Sequence, residues 1–385
     1  MKSIRILHVI GGVFRYGGTE AFLMNYYRHI DKTKVQFDFV VHGFEKGVYD
    51  DEIKDLGGKI YNIPIKSKDY LGNIRALKDI FKSGEYNIVH THLDAMGMVV
   101  LKTAKKCRIP IRIAHGHSSN HHTNNKVKYA LHEHARKNIA KYATHFFANS
   151  IATGKWLFGN EVLSSDRFKV IRNAINFDRY KFDNEVRESL RANLNAQNDL
   201  VIGHVGRFTF EKNHLFLLEV FNEILKQQPK SKLVLIGDGS AMTQVKDRII
   251  NLDILDNVHV LGVRQDTSEL LNTFDIFILP STFEGLGIVL IEAQANGLQC
   301  FASEAIPHEA NVLNRVKYIL LDKSPASWAE IILNSYELKQ SRVISKDQFE
   351  KTGYEITQAA KELQDVYSSV FANLSASNLL RTAEV

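Results

Sequence analysis

Cysteine is almost missing from this chain. Cys107 and Cys300 are the only two in 385 residues, and they are far apart. That excludes a disulfide framework and fits a reducing compartment, so a cytoplasmic protein is expected. No run approaches the ~18–20 apolar residues that span a bilayer, which argues against an integral membrane protein. The start, MKSIRILHVI, has a basic head but too short an apolar stretch for a secretory signal. It leads straight into Gly11-Gly12 and reads as a first strand. There is no long Lys/Arg block, helix-turn-helix pattern or zinc spacing, so nucleic acid is not an expected partner. Internal repeats and low-complexity segments are also lacking.

What remains is ordinary globular composition, 44% hydrophobic and 24% charged, at a length that favours two domains. The net charge of +6 suits an anionic partner, such as a nucleotide, a phosphorylated lipid or a membrane surface; solubility alone would also account for it.

Residues 3–10 predict a parallel-type strand, followed by Gly11-Gly12, Gly17-Gly18 and a helix opened by Thr19-Glu20. Strand, glycine loop and helix are the general form of a phosphate cradle, although neither G-x-G-x-x-G nor a P-loop is spelled; a flexible turn is the plainer reading. Strands are expected at Val35–Val41, Asn87–His92, Ile111–His115 and Thr144–Asn149. Helices between them are expected around Asp50–Leu56, Leu71–Ser83, Met96–Cys107 and Asn124–Tyr142. Alternation at this pitch predicts a doubly wound parallel sheet with ligands beyond the strand C-termini. Those ends carry His90-Thr91-His92 and His115-Gly116-His117-Ser118-Ser119-Asn120, continuing to His121 and His122. The second group reads as a loop contacting sugar or acceptor hydroxyls, as a plain polar loop, or least readily as a metal site, since it lacks cysteine and suitably spaced acids. The helix at 124–142 places Val127, Leu131, Ala135 and Ile139 on one stripe, with Lys126, Arg136, Lys137 and Lys141 away from it. Such charge is either a solvated face or a contact with an anionic membrane.

The pattern changes near Asn173, and a linker is expected over 173–183. A second doubly wound half begins at Leu200–Gly206, with strands at Lys232–Ile236, Asn257–Leu261 and Asp275–Leu279. Two helices are expected at the end, Glu330–Leu338 and Phe349–Val370, with a frayed tail from Ser375. In this half, the last of those strands runs into Phe283–Leu298, FEGLGIVLIEAQANGL. Glu284 leaves the sheet and Glu292 sits about two turns into the following helix, so both acids frame a helix N-terminus suited to an anion. A sugar nucleotide fits, its hydroxyls on the acids and its phosphates on N–H groups; a tight turn with solvated acids is the alternative. Arg207 and Lys212 follow the first strand of this half and together can neutralise a diphosphate, unless they merely pair with Glu211. The chain has no Asp-x-Asp to hold a divalent ion against such a group, which points to charge supplied by the protein and no metal requirement.

Arg207 with Lys212, Glu284-x7-Glu292 and Gly17-Gly18-Thr19-Glu20 together resemble the family-4 retaining glycosyltransferases of GT-B fold. GRFTFEKNH, LIGDGS, FEGLGIVLIEAQANGL and the WLFG at Trp156–Gly159 are similar to bacterial enzymes of capsular, exopolysaccharide and O-antigen assembly. The resemblance covers nearly all of residues 1–370. It implies an α/β protein with two Rossmann-like doubly wound domains facing across a cleft: residues 1–175 for the acceptor, 184–362 for the nucleotide sugar, and a C-terminal helix, 363–380, crossing back. It implies that Arg207 and Lys212 bind the donor diphosphate and that Glu292 accepts from the ribose hydroxyls. Glu284 would contact the transferred sugar, with the amides of Leu286, Gly287 and Ile288 nearby. Gly18 would let the first loop approach the diphosphate. His115 matches the active-site histidine of the family, with His117 as the alternative match; Gly17 and Asn173 belong to the same surroundings. One departure is Asn173-Ala174-Ile175-Asn176, where many relatives have Asn-Gly-Ile-Asp; it bears on the linker and not on the chemistry.

The expected function is therefore a retaining, metal-independent transfer of a sugar from a nucleotide sugar, most simply a UDP-sugar. The acceptor would be a saccharide or lipid-linked saccharide at the inner face of the membrane. The alternatives are a sugar-nucleotide epimerase on the same fold, or a non-catalytic sugar-nucleotide-binding scaffold protein.

Overall fold

Two parallel sheets organise the chain. The computed structural model describes residues 3–118, 125–336 and 341–383, with side chains as far as 374. These divide into two compact units, Met1–Ala174 with Gly353–Val385, and Ile175–Thr352.

In the first unit the strands are β1 (Ile4–Val9), β2 (Val35–His42), β3 (Ile60–Ile63), β4 (Ile88–Thr91), β5 (Ile111–Gly116), β6 (His145–Ala148) and β7 (Phe168–Val170). Among the described residues they form one sheet in the order β3-β2-β1-β4-β5-β6-β7. β2 is buried along its whole length, its polar Gln36, Asp38 and His42 included, as a central strand of a sheet covered on both faces must be. The strand order reverses between β1 and β4, whose register sets His8 beside His90. Such a reversal opens a crevice at the strand C-termini. The helices Gly18–His29 and Ile356–Ala383 cover one face, burying Phe22, Tyr26, Ala360, Leu363 and Tyr367 with Ile6, Ile113 and Phe147.

The second unit repeats the plan with β8 (Leu200–Val205), β9 (Ser231–Ile236), β10 (Val258–Val260), β11 (Ile276–Leu279), β12 (Gln299–Ser303) and β13 (Val316–Ile319), in the order β10-β9-β8-β11-β12-β13. Its switch point lies between β8 and β11. Both candidate stretches of the second half, after Val205 and after Leu279, leave from these two strands.

Several expected boundaries move. Sequence reading omitted β3, β7, β12 and β13. Apart from β12 these are short and only partly buried, so they lack both the alternation and the continuous apolar run that mark a strand. The expected linker at 173–183 is structured: Phe177–Tyr180 is a helical turn capped by the Asn176 side chain, and Phe177 stacks on Phe349 at 5.2 Å. The segment thus belongs to the second unit, which starts at Ile175 and not at 184. The single expected helix Phe349–Val370 is two. Lys346–Glu350 opens on a Ser345/Gln348 capping box, Gly353 interrupts at φ +75°, and Ile356–Ala383 follows. The last helix therefore begins ahead of the expected 363. It also continues past Ser375, where fraying was expected. The helix expected at 124–142 spans Lys126–Asn138 and ends in a 3-10 turn, Ile139–Lys141; residues 119–124, including Asn120, His121 and His122, lie outside the described residues. Among the described residues no helix is long and apolar enough to cross a membrane.

Candidate active site

At the end of β11 the chain turns through Pro280 and Ser281 to Glu284. Ser281 Oγ donates to Glu284 Oε1 at 2.7 Å, and Lys212 Nζ donates to the same oxygen at 2.5 Å. The Lys212 and Glu284 side chains are 19% and 12% exposed, so this is a partly desolvated pair, not a surface one. Lys212 does not turn to Glu211, its nearest acid in sequence. It is delivered by a short 3-10 turn, Phe210–Lys212, which Asn213 ends in the left-handed conformation at φ 57°. Asn213 Nδ2 then donates to Pro280 O at 3.2 Å, and Thr282 N to Glu211 O at 2.8 Å, so the loops after β8 and β11 are tied together. A glycine is needed just beside them. Gly237 has φ +138°, and a Cβ there would stand 2.0 Å from Gly206 O. Arg207 is exposed and makes no side-chain hydrogen bond or ion pair among the described residues.

The helix after Glu284 runs Ile288–Ala295, with Gly287 at φ 81° as its N-cap and no side chain capping its first amides. Glu292 lies one turn into this helix, not two. Its Oε1 accepts from Tyr180 Oη at 3.0 Å. Part of the residue keeps open surface, yet the carboxyl is enclosed by protein. Burial pushes its pKa up to about 7, with the Tyr180 hydrogen bond and then Arg179 and Lys212 pulling the other way. Sequence reading missed Tyr180 because it sat in the presumed linker.

In the first unit, Gly17 is the extended N-cap of the helix Gly18–His29, and a Cβ on Gly18 would meet nothing within 4 Å. The fold itself does not demand glycine there. Phe22 of that helix packs edge-on against His115 and His117, with ring centroids 5.1 and 5.3 Å away. Both histidines belong to a larger cluster. His8 Nδ1 bonds His92 Nε2 at 2.9 Å, and His92 Nδ1 bonds His117 Nε2 at 2.8 Å. Separately, His90 Nε2 bonds His115 Nδ1 at 3.0 Å, and His90 Nδ1 bonds Tyr367 Oη at 2.7 Å. Burial lowers the pKa of all five imidazoles, so they are neutral at pH 7. Sequence reading picked His115 and His117 but not His8 or Tyr367. The one signal available was period-2 spacing, His90-x-His92 and His115-x-His117, which puts each pair on one sheet face.

His8, His90 and His92, and again His92, His115 and His117, bring a ring nitrogen each within 4.8 Å. The rings are layered, however: His90 and His92 are tilted by 32° and His115 and His117 by 24°, each pair at 4.3 Å. An ion would have to turn them and break the bonds that join them. A further, partly buried acid also escaped the sequence reading. Asp94 has φ 45°, accepts from the backbone N–H of His117 at 2.7 Å and of Ser118 at 3.2 Å, and burial raises its pKa to about 6. Asn173 Oδ1 is buried without a partner among the described residues.

Residues 16–179 match the family described as Glycosyltransferase Family 4, and residues 186–355 match Glycosyl transferases group 1. The chain is 32% identical over 370 residues to the putative glycosyltransferase EpsF of Bacillus subtilis, covering 94% of this chain and 96% of that one. This chain is a family 4 glycosyltransferase. A second relative of the glycosyltransferase is the UDP-Gal:alpha-D-GlcNAc-diphosphoundecaprenol alpha-1,3-galactosyltransferase of Escherichia coli, 23% identical over 88% of this chain and 90% of that one. In fold, the glycosyltransferase is similar to Anabaena HepE, crystallised with UDP and glucose, at a TM-score of 0.78 and 18% identity over 95% of this chain and 100% of that one. Two parallel-sheet Rossmann-like domains with such neighbours define the GT-B fold.

Proposed function

We propose that this glycosyltransferase moves a sugar, with retention of configuration, from a UDP-sugar to a saccharide or lipid-linked saccharide during surface-polysaccharide assembly. It does so at the cytoplasmic side of the membrane and without a divalent ion. The observation that carries the reading is Lys212 held on Glu284 beside the uncapped helix at Ile288. A cation, a hydroxyl-accepting acid and free amides there meet the needs of one ligand with phosphates and a sugar. The printed substrates of the Escherichia coli relative and the UDP and glucose in the Anabaena complex support the same choice.

In this reading the second unit binds the donor and the first binds the acceptor. Arg207 and Lys212 neutralise the diphosphate, with the amides of Leu286, Gly287 and Ile288. Glu292 accepts from the ribose hydroxyls and Glu284 from the transferred sugar. From the first unit, Gly18 lets backbone approach the diphosphate, His115 faces the sugar, and Gly17, His117 and Asn173 serve the acceptor side. The acceptor oxygen attacks the anomeric carbon on the face the phosphate leaves. The bond from that carbon to the phosphate oxygen breaks, and the acceptor's proton passes to the departing phosphate. Lys212 and Arg207 stabilise the charge that builds on that phosphate, so their help is greatest in the transition state.

The helix Lys126–Asn138 extends the reading to the membrane. Ala135 of the expected stripe is buried, as is Ile139 just beyond the helix, whereas Val127 and Leu131 stay exposed at 70% and 59%. Arg136 is committed to Glu133 and Trp156 O, leaving Lys126, Lys128 and Lys137 as the exposed cations of this helix. An apolar ridge beside lysines fits an anionic leaflet that carries the acceptor.

Calorimetric titration of the protein with UDP in EDTA tests the donor site. Saturable binding, and transfer that survives EDTA, are expected; transfer lost in EDTA and restored by Mg²⁺ would sink the metal-free mechanism.

A further inference from the structure

Three adjacent strands of the first sheet, β3, β2 and β1, end side by side. The loops that leave them expose large apolar side chains: Phe44 at 73%, Leu71 at 75%, and Tyr16, Val48, Ile65 and Tyr70 to a lesser extent. These loops touch. Val48 N donates to Phe14 O at 3.0 Å, and the rings of Tyr16 and Tyr49 meet edge-on at 5.9 Å. Gly43 N donates to Ile63 O at 2.9 Å, and a Cβ on Gly43 would stand 3.5 Å from Val13 and 3.9 Å from Ile65. The exposed side chains therefore gather at one end of the first unit, beyond its strand C-termini. Apolar groups collected in this way, and not scattered singly, mark a contact surface.

The charges at this end do not balance. Arg15 pairs with Glu45 at 3.3 Å and Lys46 with Asp51 at 2.6 Å. Asp50 accepts from Gly47 N at 2.9 Å, and Asp69 caps the next helix by accepting from Gly72 N at 2.8 Å. Lys66 and Lys68 are left over, with no hydrogen bond or ion pair among the described residues. Lys66 is partly buried, and burial lowers its pKa with no acid to oppose it. Burial also lowers the pKa of His42, and the charge of Lys66 adds to that, which places the ammonium near the end of β2. A cation half withdrawn from water without a counter-charge is a cost to the fold that an anion relieves.

We propose that this end of the first unit is the docking site for the lipid part of the acceptor. Lys66 and Lys68 take the phosphate that joins saccharide to lipid, and Phe44, Ile65, Tyr70 and Leu71 lie against the apolar chain and the leaflet around it. This rests on the lipid-linked acceptor of the proposed function. A free phosphate would use the lysines and leave the apolar rim idle. A purely apolar partner would use the rim and leave the lysines unpaired. A membrane lipid with a phosphate head uses both, its charge and its chain adding to one binding energy. The donor's diphosphate has its own counter-charge at Arg207 and Lys212 in the other unit, so it does not compete for Lys66.

The test is co-sedimentation of the full chain with phosphatidylcholine vesicles that carry polyprenyl diphosphate, against vesicles given the same negative charge by phosphatidylglycerol. The wild type should bind the polyprenyl diphosphate vesicles roughly tenfold more tightly, since one charged hydrogen bond suffices for that ratio. Lys66→Gln/Lys68→Gln should abolish the preference and leave the melting temperature unchanged or raised, because an unpaired cation is removed. Phe44→Ser/Leu71→Ser should weaken binding to both kinds of vesicle severalfold and keep the preference. UDP affinity should be equal in all three proteins. Equal binding of the two vesicle kinds by the wild type, a preference that survives Lys66→Gln/Lys68→Gln, or UDP affinity lost in that variant overturns the proposal. Release from the vesicles by an equal concentration of inorganic pyrophosphate would assign the lysines to a free anion and overturn it too. Wild-type dimers that Phe44→Ser/Leu71→Ser dissolves would give the rim to a second copy, with the same consequence. The donor reading fails separately: a wild type that prefers polyprenyl diphosphate but binds no UDP supports this site and removes the other.

Discussion

The two units gather their polar groups in opposite electrostatic ways. In the second, charge is concentrated and stored: Lys212 rests on Glu284, Arg207 stands exposed, and Glu292 is enclosed near neutrality. In the first, the cluster packed against Phe22 holds five imidazoles that burial keeps neutral, joined by hydrogen bonds. A diphosphate needs counter-charge that can be redirected at modest cost, and a Lys–Glu pair offers it. A sugar needs donors and acceptors at fixed positions without net charge, and neutral histidines offer those. Changes to the charged site should therefore act through binding energy and pH, and changes to the neutral site through orientation.

The largest effect should follow from Lys212→Ala. One charged hydrogen bond to phosphate is worth about 1.5–3 kcal/mol, so UDP affinity should fall roughly 10- to 100-fold in calorimetric titration. The substitution also leaves Glu284 with Ser281 but without its cation, so a modest loss of thermal stability is expected in addition. Equal UDP affinity in wild type and variant would remove Lys212 from the donor site.

Glu292 comes next, and here pH is the probe. Its folded pKa lies about 7, above the ordinary carboxylate range, so between these values the folded chain holds the proton more firmly than the unfolded chain. Stability from this group is full at acid pH and is lost as pH rises toward 7, by at most about 3 kcal/mol. Donor affinity should move the other way, strengthening as the carboxylate forms to accept ribose hydroxyls. Glu292→Gln keeps an oxygen for Tyr180 but cannot ionise, so both pH slopes should flatten. Unfolding curves and UDP titrations from pH 5.5 to 8.5 check this; parallel slopes in the two proteins would contradict it.

How much of this could be read beforehand depended on whether a residue announced itself locally. Arg207, Lys212, Glu284 and Glu292 follow long apolar strands and lie among glycines, so position and chemistry coincided in the sequence. The alternation of strands and helices was equally plain, because β2 and β8 are buried nearly throughout. Tyr180 was hidden: the polar run around it gives no periodicity, and its hydroxyl reaches a residue 112 positions away. Tyr367 was hidden more deeply, since nothing in its local sequence marks a hydroxyl that meets a residue 277 positions away. Asp94 depends on a left-handed backbone that no residue type near it requires. The short strands β3, β7 and β13 form by joining an existing sheet, and their own sequence says little.

The smallest effect concerns the helix Lys126–Asn138, where the first unit leaves part of its apolar stripe unused. Val127 and Leu131 are 70% and 59% exposed, with Tyr129 at 50% beside them. Burying a Val or Leu side chain fully is worth about 1.5–3 kcal/mol, but an interfacial helix buries only part of it, and each lysine near an anionic surface adds about 1 kcal/mol. The double substitution Val127→Ser/Leu131→Ser should therefore weaken co-sedimentation with anionic vesicles only severalfold. UDP affinity should be unchanged, because Lys212 and Glu292 belong to the other unit. Substituting Lys126 and Lys128 by Gln should weaken vesicle binding further and reduce its salt dependence. Binding that ignores either the substitutions or the anionic lipid content would reassign this ridge to ordinary exposed surface, leaving the comparison between the two units to rest on the donor site and the histidines.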